Sequence, residues 1–286
     1  MASNYTEHYQ LPIWAPEDSF LREEFNDANQ KIDDALGEKA AAETVSALQA
    51  QVAALAAAAG NCRIAAGTQD FTQGPAMTRA EAIDAIAAGI ALVRAQKAQG
   101  VQLLATGEMG IGNSTPATAI NCALFGFDPD VATGPGAGSD PERVRHKAAI
   151  VRRALEVNAA ALKGDGVDIL AALGGFELAI MAGIMLGAAS RSLPILVDGF
   201  ICSAAYAAAV RICPLVAQYA ILSHASAEPG HVPALGALDS GTPLLHLDMR
   251  LGEGTGGAVA YHLLRCAVNI FNEMATFAEA QVDEGL

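Results

Sequence analysis

Residues 101–115 read Val101-Gln-Leu-Leu-Ala-Thr-Gly-Glu-Met-Gly-Ile-Gly-Asn-Ser-Thr115. A short apolar run passes through a loop with three glycines and one carboxylate, and a helix-forming segment starts near Pro116. A buried strand that ends in a glycine-rich turn before a helix is the repeating unit of an open α/β sheet. Four more apolar runs have the same reading: Val167 to Leu173, Leu193 to Val197, Tyr219 to Leu222 and Leu244 to Asp248. Helical stretches separate most of them, among them Ala80 to Lys97, where Thr78 can cap the N-terminus and Glu81 stands at the third position. The pattern predicts a three-layer, doubly wound α/β fold whose largely parallel sheet carries helices on both faces.

The loops that succeed these runs matter more than the runs themselves. They are Gly107 to Thr115, Gly174-Gly175-Phe176-Glu177, Asp198-Gly199-Phe200, Ser223 to His231, and Arg250-Leu251-Gly252-Glu253-Gly254-Thr255-Gly256. Ligands in such folds bind outside the carboxyl ends of the strands, so five polar loops at five such ends form one composite site. Glu253 is the leading candidate for chemistry, because glycines on both sides let the backbone approach a ligand closely. The Gly107 loop can present N–H groups to an anion at a helix N-terminus. It is not a Walker loop, since no Lys follows the last Gly. Gly134-Pro135-Gly136-Ala137-Gly138 is a second glycine-rich turn, followed by a helix rich in basic residues from which Lys147 is the candidate phosphate ligand.

Composition narrows the function classes. The 286 residues carry 17 Lys and Arg against 31 Asp and Glu, a formal charge of -14 that repels nucleic-acid backbones. Gly and Ala are abundant and aromatics are 5%, which favours close-packed helices against a sheet. The five cysteines show no C-x-x-C pair, the expectation for reduced thiols in a cytoplasmic protein. The apolar stretch 178–189 is too short and too rich in Gly and Ala for a membrane span. His224 and His231 are separated by Pro229 and Gly230, so they make a poor zinc pair, and no metal or cofactor is expected.

The loop motifs, in this order, resemble those of nicotinate-nucleotide–dimethylbenzimidazole phosphoribosyltransferases. The resemblance runs from Gly67-Thr68 through Gly74-Pro-Ala-Met-Thr78 to Met274-Ala-Thr-Phe277, about three-quarters of the chain. It implies transfer of the ribose 5-phosphate of nicotinate mononucleotide to 5,6-dimethylbenzimidazole or a related base, giving α-ribazole 5′-phosphate and nicotinate for the lower ligand of cobalamin. It further implies that Glu253 is the general base taking the benzimidazole N–H proton, a role that partial burial would suit. By the same resemblance Glu108, Gly110, Ile111 and Lys147 surround the phosphate and ribose. Gly174, Gly175, Ser223 and Gly252 shape the nucleotide pocket, and Leu251 lines the base pocket. Related transferases are dimers, so a homo-oligomer is expected. The chain has Pro135 where the family commonly carries Arg, which removes a cation and a backbone donor beside the expected phosphate site.

Residues 1–66 have a different character and resemble phage tail-associated proteins in Leu11-Pro-Ile-Trp14, Phe25-Asn26 and Lys31-Ile-Asp33. Val45, Leu48, Val52 and Leu55 form an a/d seam, compatible equally with a short coiled coil and with one amphipathic helix packed on the main domain. The chain therefore reads as a helical appendage over 1–66 joined to a transferase-like domain over 67–286 that lacks the family's usual N-terminal part. Two other functions stay open at this level: a non-catalytic phage-type oligomerisation or adhesion protein, and a nucleotide-binding domain that cannot hold the acceptor.

Overall fold

The computed structural model describes residues 4, 5, 12, 13, 62–136, 138, 140–276, 279 and 280. The chain forms two compact units, Met1–Asn61 and Cys62–Leu286. In the first, β1 (Asn4–Tyr5) pairs antiparallel with β2 (Pro12–Ile13). The a/d seam and the other phage-like motifs, apart from Pro12-Ile13, lie outside the described residues, and so does the expected helical appendage.

The second unit contains a parallel three-stranded sheet in the order β3 (Leu104–Ala105), β4 (Ile195–Val197), β5 (Ala220–Leu222). Leu104 aligns with Ile195, and Ile195 with Ala220. Side chains alternate along β4. Ile195 and Val197 enter the main core, which includes Tyr206, Leu170, Leu178 and Met185. A Cβ at Gly257 would lie 3.8 Å from Leu196 and 3.4 Å from Ala105, so the last helix, α9 (Thr255–Glu273), covers the other face. The sheet is thus packed by helices on both faces, as the alternation of elements predicts.

Three of the five expected strands are present, each shorter than its apolar run. Leu244 to Asp248 is not a strand. Leu245 makes one parallel bridge to His224, with Leu244 N and Leu245 N donating to Leu222 O and Ser223 O at 3.0 Å. Pro243 has no N–H to extend that ladder, and Asp248 turns to φ 51°. Val167 to Leu173 is a more consequential correction, because it is a helix, α5 (Gly166–Leu173). Asp165 accepts from Val167 N and Asp168 N, and Asp168 reaches back to Asp165 N in a capping box. Most of α5 is buried, so its apolar residues show no polar face from which a helical period can be read.

The remaining helices are α1 (Arg79–Ala98), α2 (Ser114–Phe125), α3 (Pro129–Ala132), α4 (Pro141–Val157), α6 (Phe176–Ser190), α7 (Phe200–Ile212) and α8 (His231–Ala237). Thr78 and Glu81 form the expected capping box of α1. Helices α1 and α6 cross at Gly89 and Gly183, where an added Cβ would strike Ile180 O or Ile86 O respectively. That backbone approach explains the use of small residues in the core. Among the described residues no helix is long and apolar enough to cross a membrane.

Candidate active site

Glu253 adopts φ 58°, between Gly252 at 80° and Gly254 at 77°. Three successive residues in the left-handed region fold the loop back upon the β3 end. There Glu253 N donates to Glu108 O at 2.8 Å, and Gly107 abuts Gly254 so closely that a Cβ would collide with it. The sequence-distant Gly107 and Glu253 loops therefore form one ridge.

Asp198 secures the far side of this ridge. Its carboxylate, 1% exposed, accepts from Gly254 N at 3.0 Å and Gly257 N at 3.1 Å, which caps the start of α9. His224 Nδ1 lies 3.7 Å from Asp198 Oδ1, and any side chain at Gly256 would strike the imidazole. Burial lowers the His224 pKa while the Asp198 charge opposes that shift. Ser223 is fully buried and donates from Oγ to Asp198 O at 2.9 Å, so it supports the loop from beneath rather than lining a cavity. Sequence reading assigned no role to Asp198; its position at the end of β4 was the available signal.

Three depressions meet at the ridge. The first, a cavity of about 200 Å³, is lined by Glu108, Gly110, Leu251 and Gly252 from the expected set, together with Ser114, Gly136, His224, Glu228 and Arg250. Lys147 stands behind its wall, with Nζ donating to Ser114 Oγ at 3.1 Å and Gly134 O at 3.0 Å. Burial lowers the Lys147 pKa, and the neighbouring Glu228 charge works against that. The second depression borders Glu108, Ile111, Gly174 and Gly175 with Asn113 and Glu177. Burial raises the Glu177 pKa and the Glu108 charge adds to it. The third holds Glu253 with Gly107, Gly254 and Tyr261. The expected residues thus gather around one ridge, except Ser223 beneath it and Lys147 behind the cavity wall. Glu253 itself is exposed, whereas partial burial would suit a base, and it borders the third depression.

Glu108 is also anchored at this junction. Its Oε2 accepts from Gly110 N and from Asn113 Nδ2, the latter at 2.8 Å. Asn113 is the N-cap of α2, yet its side chain makes no capping bond, and its buried Oδ1 has no hydrogen-bond partner. A cap residue diverted from its usual role toward a carboxylate marks a functional loop. Deeper in, His231 Nδ1 accepts from Ser226 N at 2.9 Å, which leaves the proton on Nε2 for Ser203 Oγ, also at 2.9 Å. Burial, helped by His224, holds the His231 pKa down to about 3.

The phosphoribosyltransferase family model DBI_PRT matches residues 28–282, a span that holds every loop of this site. The chain belongs to this family. It is 53% identical over 224 residues to the nicotinate-nucleotide–dimethylbenzimidazole phosphoribosyltransferase of Solidesulfovibrio magneticus, covering 78% of this chain and 63% of that protein. The enzyme of the same name from Chlorobaculum tepidum is 47% identical, with 77% and 62% covered. The crystal structure of CobT from Thermus thermophilus superposes with a TM-score of 0.72 at 41% identity, over 78% of this chain and 66% of that one. The chain spans less than two thirds of the length of the first two relatives.

Proposed function

We propose that this phosphoribosyltransferase-family chain transfers the ribose 5-phosphate of nicotinate mononucleotide to 5,6-dimethylbenzimidazole or a related base. The observation carrying this reading is the Glu108–Glu253 backbone bond, which brings two carboxylate loops to one ridge between the first cavity and the third depression. The nucleotide occupies the first cavity, its phosphate toward Ser114 and Lys147 and its ribose near Glu108. Gly110, Gly252 and Ile111 complete that part, and Gly174 and Gly175 bound it beyond Glu108. Leu251, 67% exposed, and Ile111, 78% exposed, present apolar surface that suits a flat aromatic acceptor.

In the reaction the acceptor's unprotonated ring nitrogen forms a bond to C1′ as the C1′–N bond to the pyridinium breaks. The departing ring keeps the electron pair and leaves as nicotinate. Glu253 takes the acceptor's N–H proton, and attack opposite the leaving group converts a β-linkage into an α-linkage. A cationic leaving group needs no added activation. Cytoplasmic residence and a homo-oligomeric state belong to the same reading; the buried Cys122 and Cys202 thiols, pushed by burial up to about 12, suit unreactive cysteines.

The test is nicotinate release from nicotinate mononucleotide with and without 5,6-dimethylbenzimidazole, in wild type and Glu253→Gln. Acceptor-dependent release is expected in the wild type, with a loss of roughly 100-fold or more in the variant at unchanged nucleotide affinity. Nucleotide binding without acceptor-dependent release would instead favour a domain that cannot hold the acceptor.

A further inference from the structure

Glu228 is the most enclosed carboxylate lining the first cavity. It is 7% exposed and belongs to the Ser223–His231 loop. Its Oε1 accepts from Gly136 N at 2.9 Å, and its carboxylate packs so tightly beneath Gly134 that no Cβ fits there. The loop is itself fixed. Ser226 N donates to His231 Nδ1, and Glu228 N donates to Ser226 Oγ at 3.3 Å. A carboxylate offers about four lone-pair sites, and among the described residues only Gly136 N donates to this one.

Glu108 lines the same cavity, and two protein donors also leave it incompletely satisfied. Two acceptor-only groups facing one small cavity call for a ligand that brings hydrogen-bond donors. A phosphate dianion has none and is repelled by both carboxylates, even though Lys147 reaches the same Gly134–Gly136 turn as Glu228. A vicinal diol supplies two donors. We infer that Glu228 accepts a hydrogen bond from one ribose hydroxyl of the nucleotide and makes the site specific for ribose over deoxyribose. The inference rests on the proposed function, in which the nucleotide occupies this cavity.

Isothermal titration of nicotinate mononucleotide and its 2′-deoxy and 3′-deoxy analogues, into wild type and Glu228→Gln, tests it. The amide keeps the shape and an oxygen for Gly136 N but removes the charge. Wild type should prefer the ribonucleotide over at least one analogue by roughly 10- to 100-fold, the range for a hydrogen bond to a charged group. Glu228→Gln should lose most of that preference while binding the same analogue at least as tightly as wild type. An undiscriminating wild type, a variant that keeps the preference, or a variant that weakens all three ligands equally would overturn the assignment. Wild type that binds none of the three removes the parent reading of the cavity and this inference with it, a result distinct from binding without discrimination.

Discussion

Glu253 is held where its own backbone disfavours it. A non-glycine residue at φ 58° costs on the order of 1 kcal/mol relative to glycine, and neither the loop nor α9 needs a side chain there. The loop is fixed by Glu253 N on Glu108 O and by Gly254 N and Gly257 N on Asp198, all of them main-chain donors. Replacing Glu253 by glycine keeps every one of these bonds and relieves the strain. Glu253→Gly is therefore expected to leave stability unchanged or raise it by up to about 1 kcal/mol while abolishing acceptor-dependent turnover. Thermal denaturation and the nicotinate-release assay measure the two effects. A clear loss of stability would mean that the carboxylate is structural, which would remove the reason for reading it as the base.

Among the elements, α5 shows both what the sequence discloses and where it misleads. The runs at Leu193–Val197 and Tyr219–Leu222 become strands because they are short, β-branched or aromatic in part, and lie between helices. Val167–Leu173 has similar composition and length, yet the Asp165-x-x-Asp168 box commits it to helix, a local signal that apolar periodicity hides. In the same way the site was legible where glycines flank a carboxylate, as at Glu108 and Glu253. It was not legible at Asp198, Asn113 and Glu228, whose roles depend on contacts with residues 5 to 92 positions away. Arg79 NH1 and NH2 also grip Asp165 at 2.8 and 2.7 Å, tying the start of α1 to the start of α5. Both partners are about half exposed, so the ion pair itself adds little. Asp165→Ala should cost about 1–2 kcal/mol, chiefly the lost cap, and lower the denaturation midpoint without changing nucleotide affinity. An unchanged midpoint would mean that tertiary burial alone holds α5.

For the whole molecule, acid is the condition that sets its electrostatics and its buried polar network in opposition. At pH 7 the chain carries a formal charge of -14, and lowering the pH toward 5 relaxes that self-repulsion, which favours the folded state. His231 acts the other way. Its folded pKa of about 3 lies below the ordinary 6.5, so between these values the unfolded chain binds a proton that the folded one refuses. Its contribution is complete above pH 6.5 and is lost as the pH falls toward 3. Between pH 7 and 5 the loss is about 2 kcal/mol. His224, lowered in the same direction, adds to it. His231→Gln can still accept from Ser226 N and donate to Ser203 Oγ, but it does not titrate. Urea denaturation at pH 7 and pH 5 should therefore show wild type losing about 2 kcal/mol more than the variant over that interval. Equal losses in the two proteins would mean that His231 is protonated in the folded state. That would undo the fixed Nε2–H tautomer, and with it the rigid Ser226–Glu228 loop on which the ribose contact depends.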